Sequence, residues 1–159
     1  MEKVLVAFFS PTGTTAHVAH KIAGATGGDL FEIRPAQPYT AEDLNWHNAQ
    51  SRSSVEMNDR ASRPAIAELP DVSGYDTIFV GFPIWWYTAP HIIWAFAEQA
   101  GLSGKTVVTF ATSGGSSMGD TTSELSSLTP ANVNWVDGKV LSAAASDASV
   151  ASWVESLGL

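Results

Sequence analysis

The stretch Val4-Leu5-Val6-Ala7-Phe8-Phe9-Ser10-Pro11-Thr12-Gly13-Thr14-Thr15 decides the reading of this chain. Six consecutive apolar residues that stop at Ser-Pro predict a strand covered on both faces, as strands of a parallel sheet are. From Thr14 to about Ala25 the spacing changes: Val18, Ala19, Ile22 and Ala23 form one apolar stripe, and Gly27-Gly28 ends it. That predicts a helix directly after the strand. A second strand follows at Leu30-Phe31-Glu32-Ile33.

The same alternation continues outward. Thr77–Phe82 and Thr106–Ala111 read as buried strands, and a weaker one around Val133 to Val140 is interrupted by Asp137-Gly138. Helices are expected from Pro90 through Ala100, over about Asp120 to Leu128, and over about Ala148 to Leu157. Strands alternating with helices imply right-handed crossovers. The fold class is therefore α/β: a three-layer αβα sandwich around a five-stranded parallel sheet in the order 2-1-3-4-5. A length of 159 residues suits a single domain, 1–159. Arg34 to Asp76, 43 residues, is too long for an ordinary connection. It marks an elaboration at about 38–65, in which Thr40 is placed to cap a helix over Ala41 to about Asn58.

Composition narrows the chemistry. There are no cysteines, which excludes disulfides, thiolate metal sites and cysteine nucleophiles. Sixteen acidic residues against eight Lys and Arg argue against a nucleic-acid partner. The acids and arginines between Arg34 and Arg63 balance four to four, so the whole net charge of −8 lies outside that segment. An acidic surface suits solubility and the steering of a basic redox partner protein. No apolar run is long enough to insert in a membrane, and a cytoplasmic location is expected.

Ser10-Pro11-Thr12-Gly13-Thr14-Thr15 stands where ligand crevices form in such sheets, at the carboxyl end of a strand. Four hydroxyls, a turn-permitting Gly13 and the open N–H groups of the next helix make a nest for a phosphate dianion without any cation. Neither GxxxxGK[ST] nor GxGxxG occurs, so P-loop and Rossmann readings fail. After the third strand come Pro83-Ile84-Trp85-Trp86-Tyr87, polarizable side chains suited to a flat heterocycle. After the fourth come Thr112-Ser113-Gly114-Gly115, where paired glycines let a ring approach the backbone. Gly115-Ser116-Ser117-Met118-Gly119 matches a nucleophile elbow, but all four histidines (His17, His20, His47, His91) precede Ser117, contrary to the order of that triad. No metal site is expected.

The Ser-x-Thr-Gly-x-Thr loop after an N-terminal strand resembles the flavodoxin fingerprint. The Pro-x-x-Trp-aromatic and Thr-Ser-Gly-Gly segments resemble the ring loops of small flavodoxins and NAD(P)H-quinone-reductase-like flavoproteins. The resemblance implies flavin mononucleotide (FMN) as cofactor. Ser10, Thr12, Thr14 and Thr15 would be phosphate donors and Gly13 the turn residue, with Pro83, Ile84, Trp85, Trp86, Tyr87, Thr112, Ser113, Gly114 and Gly115 around the ring. It implies a redox protein passing electrons through bound flavin, with a redox partner protein or NAD(P)H opposite it. The alternative is an FMN-dependent NAD(P)H:quinone-type oxidoreductase. The Tyr and His that quinone reductases carry after the Gly-Gly segment have no counterpart in Ser116 to Leu128, and no catalytic residue is assigned. Many flavodoxins have a glycine in the loop after the third strand, whose peptide inverts on one-electron reduction. Pro83 to Pro90 has none, and inversion to φ > 0 beside Trp or Tyr is sterically costly, which favours two-electron traffic. Trp46, His47 and Arg52 of the elaboration either reach over the ring or form a surface helix packed through Trp46.

Overall fold

A computed structural model describes residues 3–159. Five parallel strands, β1 (Val4–Phe8), β2 (Asp29–Glu32), β3 (Thr77–Pro83), β4 (Thr106–Thr112) and β5 (Asn134–Val140), lie in the order β2-β1-β3-β4-β5. The helices are α1 (Thr14–Thr26), α2 (Arg52–Asn58), α3 (His91–Gln99), α4 (Thr121–Ser126) and α5 (Asp147–Ser156). The double coverage read from the first strand is real. Val4, Val6 and Phe8 pack toward Val18, Ile22, Val150 and Trp153, whereas Leu5, Ala7 and Phe9 pack toward Ile92, Phe96 and Leu125. Alternate residues of one strand thus serve two separate cores, one on each face.

The interruption at Asp137-Gly138 is a bulge rather than an end. Val108 pairs with Val136 and Phe110 with Lys139, so Asp137 and Gly138 together oppose Thr109. A hydrogen-bond chain pins it: Gly138 N–H donates to Thr109 Oγ1 (3.1 Å), the Thr109 and Thr122 hydroxyls share a bond (2.8 Å), and Thr122 donates to Asp137 Oδ1 (2.8 Å). A Cβ on Gly138 would lie 1.5 Å from the Thr109 carbonyl oxygen, so the close approach requires glycine.

The elaboration departs from expectation. Thr40 and Asp43 do form a reciprocal cap, each backbone N–H meeting the other's side-chain oxygen at 3.0–3.1 Å. Yet the helix proper is only Arg52–Asn58, capped by Ser51. Between them the side chains of Asn45 and Asn48 accept from the N–H groups of His47 and Gln50. Such local bonds compete with helical ones and break the run into turns. The ends of the excursion are pinned where Ala36 and Ala67 N–H groups donate to the carbonyls of Ala65 and Arg34, both at 2.8 Å.

That excursion covers α3. Every residue from His91 to Ala97 is buried, more than the single stripe in the sequence requires. Arg60 and Arg63 each lie 5.3 Å from the Trp94 ring centre, and Arg63 pairs with Glu98 at 2.7 Å. The Ser62 hydroxyl donates to the Glu56 carbonyl, so His91 Nδ1–H donates to Ser62 Oγ (2.7 Å). Burial, and then the charge of Arg63, lowers the His91 pKa below its ordinary 6.5. The unfolded chain therefore takes up this proton first as pH falls. Stability is expected to be complete above about pH 6.5 and to decline below it, until the folded imidazole also titrates. Urea unfolding between pH 8 and pH 5 checks this: the His91→Gln protein should lose less stability over that interval than the parent, and an equal loss contradicts it.

Candidate functional site

β1, β3 and β4 end together, and their loops meet on one edge of the sheet. Gly13 adopts φ 91°, ψ −14° at the start of α1, a left-handed conformation that glycine accepts without a Cβ penalty. No side chain caps the helix from that position. Instead Ser10 Oγ accepts from Ala16 N–H at 2.9 Å. Among the described residues, the N–H groups of Thr12, Gly13, Thr14 and Thr15 meet no acceptor within the chain. Thr12, Gly13 and Thr14 are exposed, at the positive end of a 13-residue helix. Thr15 is different. It is buried, and its hydroxyl shares a 2.8 Å hydrogen bond with Thr112. The bond ties the first loop to the end of β4.

Two adjoining cavities run from this loop. One, about 730 Å³, is lined by Thr12 and Thr14 together with Pro83, Ile84, Trp85, Thr112, Ser113 and Gly114. The other, about 510 Å³, continues along Ile84 to Tyr87 and Ser113 to Ser116. Ser113 Oγ accepts from the N–H groups of Gly115 (3.2 Å) and Ser116 (2.8 Å), folding the fourth-strand loop over. A Cβ on Gly114 or Gly115 would meet nothing within 4 Å, and neither has a left-handed φ. The folded chain itself does not require glycine there; bare backbone simply faces the cleft. Ser10, by contrast, lines a separate hollow of about 470 Å³ beside β2, with Phe9, Pro11 and Tyr39.

Several wall residues escaped the sequence reading. Val140, which ends β5, and Leu141 to Ala143 just past it line the larger cavity. The rule that sheet ligands sit at carboxyl ends would have pointed to them, had it been applied to the last strand as well. Leu44 and Ser53 line the smaller one, and Trp46 lines both. Trp46 therefore does reach the cleft, with His47 stacked on it at 3.7 Å. Arg52 does not. It lies 3.8 Å above the Tyr39 ring, pairs with Glu56 at 3.0 Å and donates to the Gln37 carbonyl. Tyr39 donates to Glu56 Oε1 at 2.5 Å and meets Phe9 and Trp85 edge-on, both at 5.6 Å. Burial, reinforced by that bond to Glu56, holds the Tyr39 phenol well above its usual pKa. The cluster anchors Trp85, and with it the aromatic loop.

The aromatic loop itself corrects the steric argument. Trp85 and Thr88 exchange both backbone hydrogen bonds (2.9 and 3.1 Å), and the two residues between them have φ 48° (Trp86) and φ 65° (Tyr87). That is the pattern of a type I′ turn, usually made by Asn-Gly. The strain expected only on peptide inversion is already present in the folded chain. The Thr88 hydroxyl, donating to Glu124 Oε1 at 2.6 Å, helps hold the turn in place. A left-handed conformation costs an ordinary residue about 1–2 kcal/mol, and Tyr87 is 80% exposed, so its side chain returns little by packing. Tyr87→Gly is therefore expected to raise the unfolding free energy by about 0.5–1 kcal/mol, after the entropy that glycine adds to the unfolded chain. A lower urea midpoint for that variant would show the turn to be unstrained.

The cleft thus offers unpaired N–H groups and hydroxyls at one end, and apolar aromatic walls with bare glycine backbone at the other. Among the described residues, no Asp, Glu, Lys, Arg or His lines it. These features fit a ligand with a phosphate at one end and a planar ring at the other. A flavoprotein-assigned structure from Bacteroides eggerthii shares 50% identity with this chain, covering 99% of it and 98% of its own length, with a TM-score of 0.92. A Lactobacillus acidophilus flavoprotein, solved in complex with FMN, has 21% identity, coverage of 97% and 99%, and a TM-score of 0.73. A WrbA-like flavodoxin from Agrobacterium tumefaciens has 17% identity, coverage of 97% and 92%, and a TM-score of 0.60; both of these likenesses bear on fold. No curated protein sequence matches. The flavodoxin family model matches residues 3–157, and the chain belongs to the flavodoxin family.

Proposed function

We propose that this chain is a cytoplasmic flavodoxin-type redox protein that binds FMN in the cleft at the ends of β1, β3 and β4 and exchanges electrons with a partner protein. The observation that carries the reading is the pairing of a cation-free N–H nest at Thr12–Thr15 with an uncharged aromatic cleft. Bound flavin supplies the redox chemistry, accepting and releasing electrons. The chain's own residues hold and shield it. Thr12 and Thr14 hydroxyls and the open N–H groups from Thr12 to Thr15 would hold the phosphate by donating hydrogen bonds to it. Ile84, Trp85 and the glycine backbone at Gly114-Gly115 bound the ring, and Trp46 reduces its access to water.

The phosphate role has a direct check. FMN added to the purified protein should be held with the visible bands of a bound flavin, and the double variant Thr12→Ala, Thr14→Ala should bind FMN at least about tenfold more weakly. Riboflavin, which lacks the phosphate, should bind both proteins alike. Equal loss for the two ligands would move the phosphate elsewhere, and a protein that takes up no FMN would end the proposal.

A second reading has its own support: Leu44, Trp46 and Ser53 of the elaboration wall one side of the cleft, as a small-molecule pocket would require. It makes the protein an FMN-dependent oxidoreductase of the NAD(P)H:quinone type. Stopped-flow mixing of the FMN-loaded protein with NADH and with NADPH separates the two. Rapid bleaching of the flavin band supports the reductase; no bleaching over seconds supports the carrier.

A further inference from the structure

We infer that the hollow at the carboxyl end of β2 is a second ligand site, that it takes a purine ribonucleoside, and that Glu32 holds the ribose. The inference goes beyond the flavin reading, because this hollow lies apart from the cleft. Its walls come from β2 and the start of the elaboration.

Three observations carry it. The first is place. The loop Ser10–Thr15 serves two hollows: Thr12 and Thr14 line the flavin cleft, whereas Ser10 and Pro11 line the one of about 470 Å³. The second hollow thus adjoins the phosphate nest at the end of the strand next to β1. In parallel sheets that hold a phosphate at the first loop, a nucleoside attached to it lies over the end of the neighbouring strand. An acidic residue about 20 positions beyond the glycine turn then receives the ribose hydroxyls. Glu32, the last residue of β2, follows Gly13 by 19 positions and stands in the wall.

The second observation is a set of open polar groups. Glu32 is exposed, and among the described residues neither an ion pair nor a hydrogen bond engages its carboxylate. A carboxylate only accepts, and a vicinal diol presents it with two O–H donors, whereas an anionic guest is repelled. Ser10 Oγ accepts from Ala16 N–H, which leaves its own proton free to donate. Arg34 pairs only with Glu68, at 3.9 Å, with both side chains more than half exposed. So loose a pair leaves the guanidinium free to lie flat on a base.

The third observation is the wall itself. Ile33, Pro35, Pro38, Tyr39 and Ala67 make it largely apolar, and its volume is that of a small-molecule site. The Tyr39 hydroxyl is committed to Glu56, so this residue offers its ring rather than a donor. The hollow is also built firmly. Arg52 lies 3.8 Å over the Tyr39 ring, and the Ala36 and Ala67 N–H groups are both bonded at 2.8 Å. A flat base loses little hydration against such walls and gains stacking.

The test has two arms, which distinguish a nucleoside joined to the flavin from a separate one. In the first, the apoprotein is titrated with FMN and with flavin adenine dinucleotide, which adds an adenylate to the same flavin. In the second, the FMN-loaded protein is titrated with adenosine and with 2′-deoxyadenosine, by calorimetry. A joined nucleoside makes the dinucleotide bind at least about tenfold more tightly than FMN. A separate one makes adenosine bind, about fivefold or more tighter than its 2′-deoxy form. In whichever arm responds, Glu32→Ala should remove most of the gain. So should Ala67→Phe, which fills the hollow from an exposed position. FMN affinity should stay within about twofold in both variants. No response in either arm overturns the inference, and so does a response that either variant leaves unchanged. Variants that weaken FMN itself to the same degree would make the hollow part of the FMN socket and also overturn it. A parent protein that takes up no flavin ends the functional reading alone, because adenosine titration of the apoprotein still decides this one.

Discussion

Parallel pairing is the constraint on which the rest of this molecule depends. Because all five strands run the same way, their carboxyl ends lie along one edge, and loops far apart in sequence are delivered to one place. Leu5–Phe8 pairs with Asp29–Glu32 on one side and Val4–Phe8 with Thr77–Gly81 on the other, and β3 pairs in turn with β4 from Thr77 to Pro83. That register sets Ser10–Thr15 beside the aromatic loop and the Gly-Gly loop. The buried Thr15–Thr112 hydrogen bond, between residues 97 apart in sequence, then fixes the two outer loops to each other. A buried hydroxyl pair of this kind carries a penalty if either partner is lost, so it holds the spacing of the cleft more firmly than surface contacts could.

Two further devices shape the cleft on this frame. One is the strained turn at Trp86-Tyr87, whose left-handed residues are held by paired backbone bonds at Trp85 and Thr88 and by the Thr88–Glu124 contact. Strain of this sort survives only where the surroundings over-determine the backbone, and it gathers at functional sites. The other is the elaboration. Its polar network of Tyr39, Arg52 and Glu56 braces Trp85 from behind, while Trp46 forms a wall in front. An insertion that looked like an interruption of the fold is therefore a component of the site.

Much of this is legible in the sequence. The strand positions, their order and the three converging loops follow from apolar runs bounded by turn residues, because burial on both faces leaves little freedom in how such runs can be arranged. The phosphate loop was legible for a local reason: its hydroxyls, its glycine and the helix that follows are consecutive. The helix expected over Ala41 to Asn58 is confined to Arg52–Asn58, because side-chain bonds from Asn45 and Asn48 outcompete helical ones over a stretch with no strong apolar stripe. Likewise the complete burial of α3 could not be read from its own residues, since its outer face is covered by side chains 29 to 34 positions upstream, such as Arg60, Arg63 and Ser62.

The sequence by itself determined which segments become strands and helices, that the strands are parallel, and that a nest of hydroxyls and N–H groups stands at the first carboxyl end. These are consequences of short-range periodicity and of the sterics of crossover connections. Tertiary structure alone decided that Thr15 turns inward to Thr112 while Thr12 and Thr14 face the cleft. It also decided that Trp86 and Tyr87 sit in a glycine-like conformation, and that Trp46 rather than Arg52 reaches the site. Each of these outcomes depends on a partner distant in the chain, and a pattern of neighbours carries no record of such a partner until the fold brings it into contact.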